Sequence, residues 1–315
     1  MSYKIAYLFP GQGSQFVGMG KDLYDSYECA KYVFDTSDKV LGKNIADLCF
    51  AGPENELKHT INTQPAIVTM SIAALEALKS ELDITPDYTA GHSLGEYCAM
   101  YASGVMTLEN TLKSIQKRAE LMSETHCGCM AAVLNAEEEQ LKSGLKEGEK
   151  YGYIDIANYN SPVQTVITGD ENAVKKASEH MLSNGVKRVI PLAVSGAFHS
   201  EYMKNAGEKF KEFVSGLELN NAKIPVITNV DAQITMNAED FREKMPKQIS
   251  SSVYWLQSIE NMIKNDTKIF IEIGPGKVLS GLNRKISSDI KTYNVYDNDS
   301  LKNTVEALKS ELCGV

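Results

Sequence analysis

Along this 315-residue chain, short apolar runs that end in glycine or proline alternate with longer stretches of helical apolar spacing. Residues 3–9 form one such run, closed by Pro10-Gly11, which reads as a buried strand and a turn. Residues 65–79 have helical spacing. Residues 88–91 read as strand, 94–103 as helix, and 108–122 as a second helix. In that second helix Leu112, Ile115, Ala119 and Met122 share one stripe, with Arg118 beside it. Later, 268–273 is a strong strand closed by Gly274-Pro275-Gly276 and followed by a helix. Such alternation predicts an α/β fold with a largely parallel sheet.

The middle of the chain follows another order. Residues 130–134 read as strand, 137–145 as helix, 153–158 and 163–168 as strands joined by Tyr159-Asn160-Ser161-Pro162, 172–183 as helix and 186–192 as a last strand. This is the βαββαβ order of ferredoxin-like folds. The expected organisation is a core of 1–125 and 198–315 carrying a small inserted domain of 126–197. The cleft between them is the expected ligand site.

Charge and composition narrow the classes of function. The 41 acidic against 32 basic side chains leave a net charge of −9, which lacks the electrostatic footprint of a nucleic-acid binder. An anionic partner would have to meet a local basic patch. No run approaches the roughly 18 apolar residues that span a bilayer, and the opening apolar segment is too short for a secretory signal. A cytoplasmic location without membrane contact is expected. The six cysteines, at 29, 49, 98, 127, 129 and 313, have no metal-ligand spacing and read as reduced structural thiols.

Gly91-His92-Ser93-Leu94-Gly95 fits G-x-S-x-G, the sharp turn that presents a serine hydroxyl between a strand and a helix. The helix that follows aims backbone N–H groups at developing negative charge. A structural Gly-Ser turn fits the same pattern. A nucleophilic serine needs a base, and there are five histidines. His59 and His180 lie on polar stretches, and His126 sits at the domain junction without an obvious partner. His92 adjoins the serine and reads as a packing residue facing the other side of the chain. His199 follows the last strand of the insert, where the chain returns to the cleft. It is the best candidate, and a satisfied loop histidine is the alternative.

Four motifs in order carry a family resemblance. They are Phe9-Pro10-Gly11-Gln12-Gly13-Ser14-Gln15, Gly91-His92-Ser93-Leu94-Gly95-Glu96-Tyr97, Gly196-Ala197-Phe198-His199 and Gly274-Pro275-Gly276. With Thr63-Gln64-Pro65-Ala66 and Asn160-Ser161-Pro162, they make almost the whole chain resemble the malonyl-CoA:acyl-carrier-protein transacylases. The resemblance implies a hydrolase-like α/β core with a ferredoxin-like insert, acting in fatty acid synthesis. It implies that Ser93 attacks the malonyl-CoA thioester while His199 takes its proton. Backbone carbonyls and the side chain of Gln248 would steady the imidazole. The N–H groups of Gln12 and Leu94 would form the oxyanion hole, where losing one donor costs about a hundredfold or more in rate.

In the same resemblance, Arg118 holds the malonyl carboxylate as a bidentate fork, Phe198 narrows the pocket against branched acyl groups, and Asn160 joins the substrate-binding set. Transfer is ping-pong through a malonyl-serine ester. The phosphopantetheine thiol of acyl carrier protein is the acceptor, and neither metal nor cofactor is needed. Lys187, Arg188, Arg284 and Lys285 are candidates for docking the acidic carrier, though ordinary solvated charges would look the same. A serine esterase or thioesterase is the main alternative, and it would need a carboxylate between serine and histidine. Asp155 and Asp170 lie in that interval but inside the insert. A scaffold that keeps the fold without catalysis, and the same transfer in a polyketide pathway, are the other readings.

Overall fold

The computed structural model describes residues 4–194 and 196–313. Tyr3, the expected first residue of the opening strand, and Ser195 lie outside the described residues, as does the side chain of Cys313. The described strands are β1 (Lys4–Phe9), β2 (Tyr88–Gly91), β3 (Cys129–Leu134), β4 (Ile154–Ser161), β5 (Gln164–Gly169), β6 (Arg188–Pro191), β7 (Val226–Ile227), β8 (Ile234–Thr235), β9 (Thr267–Ile273) and β10 (Lys291–Val295).

The larger sheet has the order β10-β9-β1-β2-β7-β8. All its pairings are parallel except the terminal one, where β8 runs antiparallel to β7. This mixed, mostly parallel sheet makes the chain an α/β protein. Side-chain alternation along β1 explains the layering. Ile5, Tyr7 and Phe9 face one layer of core, and Ala6 and Leu8 face another that holds Trp255, Ile259 and Met262. A strand buried on both faces is largely apolar, as the five residues that follow Lys4 in the KIAYLF run are.

Thr60–Glu81 is a helix buried on nearly every side, with Pro65 inside it. It begins before the expected 65–79 segment, because the proline that marks a helix start in sequence here falls within an established turn.

The smaller sheet has the order β4-β5-β3-β6 and is antiparallel throughout. The helices Glu138–Gly148 and Glu171–Ser183 alternate with its strands. Ala173, Val174, Ala177 and Met181 of the second helix pack on Ala131, Val133, Ile154 and Ile167 of the sheet. The hairpin differs from expectation: residues 159–161 belong to β4, not to the turn, so Asn160 stands on a strand. The last strand is shorter than the expected 186–192. β4 also reaches the rest of the chain, since Tyr159 N–H donates to the Val253 carbonyl and Val253 N–H to the Ala157 carbonyl (2.9 and 2.8 Å). That connection fixes one wall of the cleft described next.

Candidate active site

The turn after β2 is built by close backbone approach. A Cβ on Gly91 would lie 1.9 Å from the Gly95 carbonyl carbon, and one on Gly95 would lie 2.2 Å from the Phe9 carbonyl oxygen. Both positions therefore require glycine. Ser93, between them, sits in the left-handed region at φ 53°, a strained conformation for a side-chain-bearing residue. His199 is held at φ 56°, so the two residues that meet in the cleft share this strain.

Ser93 Oγ and His199 Nε2 are 2.8 Å apart. On its other side the ring faces only acceptors, with Nδ1 3.0 Å from the Gln248 carbonyl oxygen and 3.1 Å from that of Ser251. Nδ1 must then carry the proton and donate, which leaves Nε2 as the acceptor for the Ser93 hydroxyl. Burial, followed by the Arg118 guanidinium and then His92, holds the imidazole down at about 3. It is a neutral base across the physiological range. No carboxylate bonds it among the described residues: Asp170 is bonded by Tyr202 and the Tyr153 amide, and Asp155 by Tyr153 and the Ile156 amide.

Arg118, on the helix Leu108–Ser123, is only 1% exposed. It donates from Nη1 to Gln64 Oε1 (2.7 Å), and from Nη2 to Ser93 Oγ and Gln248 Oε1 (3.0 Å each). Its guanidinium also lies 5.7 Å over the Tyr97 ring. All these acceptors are neutral, and among the described residues no carboxylate is within ion-pair distance. A buried cation so placed is stabilised at close range by two amide oxygens, a hydroxyl and a ring face, and can take an anion.

The Gln248 side chain does not hold the imidazole, contrary to expectation. It donates instead from Nε2 to the Ser93 carbonyl (2.7 Å) while accepting from Arg118, and its backbone carbonyl meets His199. The N–H groups of Gln12 and Leu94 have no acceptor among the described residues, and Leu94 stands at the N-cap of the helix Gly95–Ala102.

These groups open into a cavity of about 340 Å³ whose walls include Gln12, Gln64, Ser93, Arg118, Phe198 and His199. His92 lines it too, although the opposite side of the chain was expected, while its ring packs 5.6 Å from that of Trp255 in line with the expected packing role. Its Nε2 meets Asn160 Oδ1 at 2.8 Å, and burial lowers its basicity. Asn160 spends its amide on His92 and Gln164, while Asn158, two residues earlier on β4, lines the cavity.

With this geometry in place, comparison with known proteins decides the family. The family described as "Acyl transferase domain" matches residues 6–305. The chain belongs to it. This acyl transferase is 46% identical over 312 residues to the malonyl CoA-acyl carrier protein transacylase of Bacillus subtilis (strain 168), covering 98% of each chain. It is 40% identical over 305 residues to the protein of the same name from Staphylococcus aureus (strain MW2), covering 95% of this chain and 97% of the relative.

Among solved structures, the malonyl CoA-acyl carrier protein transacylase of Clostridium perfringens superposes with a TM-score of 0.93 at 38% identity, over 98% of both chains. PlMCAT, a malonyl-transacylase solved with the type II PKS acyl-carrier protein AntF, gives 0.93 at 34% identity over 96% of this acyl transferase and 99% of that chain.

Several residues of the acyl transferase site carry no sequence signal. Asn229 bonds the nucleophile turn from behind by accepting the Ser93 N–H, and Glu96 accepts the Asn229 N–H. Glu96 lies inside a quoted motif, yet nothing local marks its burial. Gln64 stands in the noted Thr63-Gln64-Pro65-Ala66 run, but its contact with Arg118 is 54 residues distant in sequence. Lys187, Arg188, Arg284 and Lys285 are all exposed. Arg188 pairs with Leu134 on the neighbouring strand, and Leu134 and Lys285 line one groove.

Proposed function

We propose that this chain moves a malonyl group from malonyl-CoA to the phosphopantetheine thiol of an acyl carrier protein, through an ester on Ser93. One observation carries the reading. The buried, carboxylate-free guanidinium of Arg118 lies 3.0 Å from the Ser93 hydroxyl, itself 2.8 Å from His199. A cation at that spacing suits an acyl group bearing a second carboxylate. The names of the relatives, and the solved complex of one with an acyl-carrier protein, support it.

In this reading Ser93 Oγ attacks the thioester carbonyl as its proton passes to His199 Nε2. The oxyanion faces the N–H groups of Gln12 and Leu94. The C–S bond breaks, and the CoA sulfur leaves with the proton from His199. The carrier thiol then gives its proton to His199, attacks the ester and restores the Ser93 hydroxyl. The two carbonyls on Nδ1 stabilise the imidazolium in the role a carboxylate has in hydrolases. Phe198, 5% exposed in the cavity wall, limits acyl bulk. We read the large sheet with its helices as a hydrolase-like core (1–125 and 198–315) and the small one as a ferredoxin-like insert (126–197). Lys187, Arg188, Arg284 and Lys285 are the proposed carrier-docking residues.

The test is product analysis with malonyl-CoA, with and without holo-acyl carrier protein. Transfer predicts malonyl-carrier formation and little free malonate. Malonate release at turnover rate, unaffected by the carrier, would instead establish a thioesterase.

A further inference from the structure

The Ser93 turn is strained, and its stabilisation comes from a residue 136 positions away in sequence. Asn229, fully buried, accepts the Ser93 N–H on Oδ1 (2.8 Å) and donates from Nδ2 to the Gly91 carbonyl (2.7 Å). One amide therefore grips the turn on both sides of His92. The Asn229 backbone N–H in turn donates to Glu96 Oε2 at 2.6 Å. Glu96 is 1% exposed and begins the second position of the helix that the turn feeds. The loop carrying Asn229 is thus bonded to that helix at one point and to the nucleophile turn at two.

We propose that Asn229 and Glu96 are positioning residues of the acyl-transfer site: Asn229 sets the conformation of the Ser93 turn, and Glu96 fixes Asn229. The proposal rests on the acyl-transfer reading for its substrate, but the clamp itself is independent of which acyl group is moved. It assigns the Ser93 N–H a structural partner, so that this amide is withheld from the reacting carbonyl. The oxyanion donors are then Gln12 and Leu94, whose N–H groups meet no acceptor among the described residues. Loss of the Asn229 side chain would release the Ser93 N–H, relax φ from the left-handed region and move the hydroxyl off its line to His199.

Glu96 also carries charge into this region. Burial, opposed by the Asn229 amide and by Arg118, raises its carboxyl to about 7. The charged or titratable groups facing it are Arg118 on the helix Leu108–Ser123, Lys244 on the helix Ala238–Ser250, Asp231 on the loop after β7, and its neighbour Tyr97. Arg118 and Lys244 favour its anion, and Asp231 opposes it.

The experiment measures Asn229→Ala, Glu96→Ala and Glu96→Gln in the full chain. Active sites are counted by the burst of CoA release, and Ser93 reactivity is read separately with a fluorophosphonate probe. Asn229→Ala is expected to lower kcat per counted site by about a hundredfold, the scale of a reacting group displaced by ~1 Å, with KM little changed. Its fluorophosphonate rate should fall in parallel. Glu96→Gln keeps an oxygen acceptor for the Asn229 N–H, so kcat per site and probe rate should fall less than in Glu96→Ala. Per-site kcat and probe rate within about twofold of the parent, with loss only in the number of sites or in Tm, would overturn the proposal. So would a per-site kcat and probe rate in Glu96→Ala equal to those of the parent, which decides the matter even where Asn229→Ala does not fold. If the parent reacts with the probe but takes no malonyl group, the acyl-transfer reading fails and the probe rates alone judge the clamp.

Discussion

Replacing Arg118 by methionine keeps most of the side-chain volume and removes the charge, so it isolates electrostatics from packing. Alanine would also open a cavity in place of one of the largest fully buried side chains. In the proposed complex, the substrate carboxylate accepts two charge-assisted hydrogen bonds, each worth ~1.5–3 kcal/mol. Their loss, ~3–5 kcal/mol after incomplete additivity, corresponds to about a 160- to 5,000-fold fall in kcat/KM for malonyl-CoA. Acetyl-CoA has no carboxylate to lose, so its kcat/KM should hold or rise.

Stability should change little in the same variant. Removing a buried, carboxylate-free cation is favourable, but Gln64 Oε1 loses its donor and Gln248 Oε1 loses the one it takes from Arg118, at ~1–3 kcal/mol each. The assay is initial acylation rate against each thioester, read by mass of the acylated protein, beside Tm. A malonyl-to-acetyl preference within threefold of the parent would refute the assignment of Arg118.

Three further outcomes follow from the site. Because the His199 imidazole lies at about 3, below the ordinary 6.5, its neutral form persists as pH falls through 6.5. The acidic limb of kcat/KM for acylation should therefore appear well below that value, and a full loss of rate centred near 6.5 would contradict the assigned cause. Arg118→Met, by removing a cation that opposes protonation, should shift that limb upward, as a pH–rate series would register. Reversing charge at Lys187, Arg188, Arg284 and Lys285 together should raise KM for the carrier protein and spare acylation by malonyl-CoA, and equal losses in the two half-reactions would count against docking there.

What the sequence revealed, and what it withheld, follows the range of each interaction. β1 and β9 are legible as mainly apolar runs closed by Pro10-Gly11 and Gly274-Pro275-Gly276, β2 as the segment leading into the Ser93 turn, and the glycines of that turn because backbone contact admits nothing larger. His199 was found by elimination among five histidines. The parts that stayed hidden act across long separations. The Gln248 side chain was expected at the imidazole, yet it is the backbone carbonyl that arrives there, a distinction no residue type encodes. Asn160 was placed in a turn because Ser161-Pro162 follows it, and β4 runs through that point until the proline interrupts it. His92 was set aside as a packing residue because neighbours on an extended strand point to opposite faces, a rule that ends where φ of Ser93 turns positive. Asn229 has no motif at all, and its importance rests on a loop folding back onto the nucleophile turn.

The most direct measurement is peptide mapping of the protein after brief exposure to malonyl-CoA. A single malonyl ester is expected on the peptide bearing Ser93, formed with release of one CoA, absent in Ser93→Ala and discharged on adding holo-acyl carrier protein. An adduct on another residue, or undiminished transfer by Ser93→Ala, would contradict it.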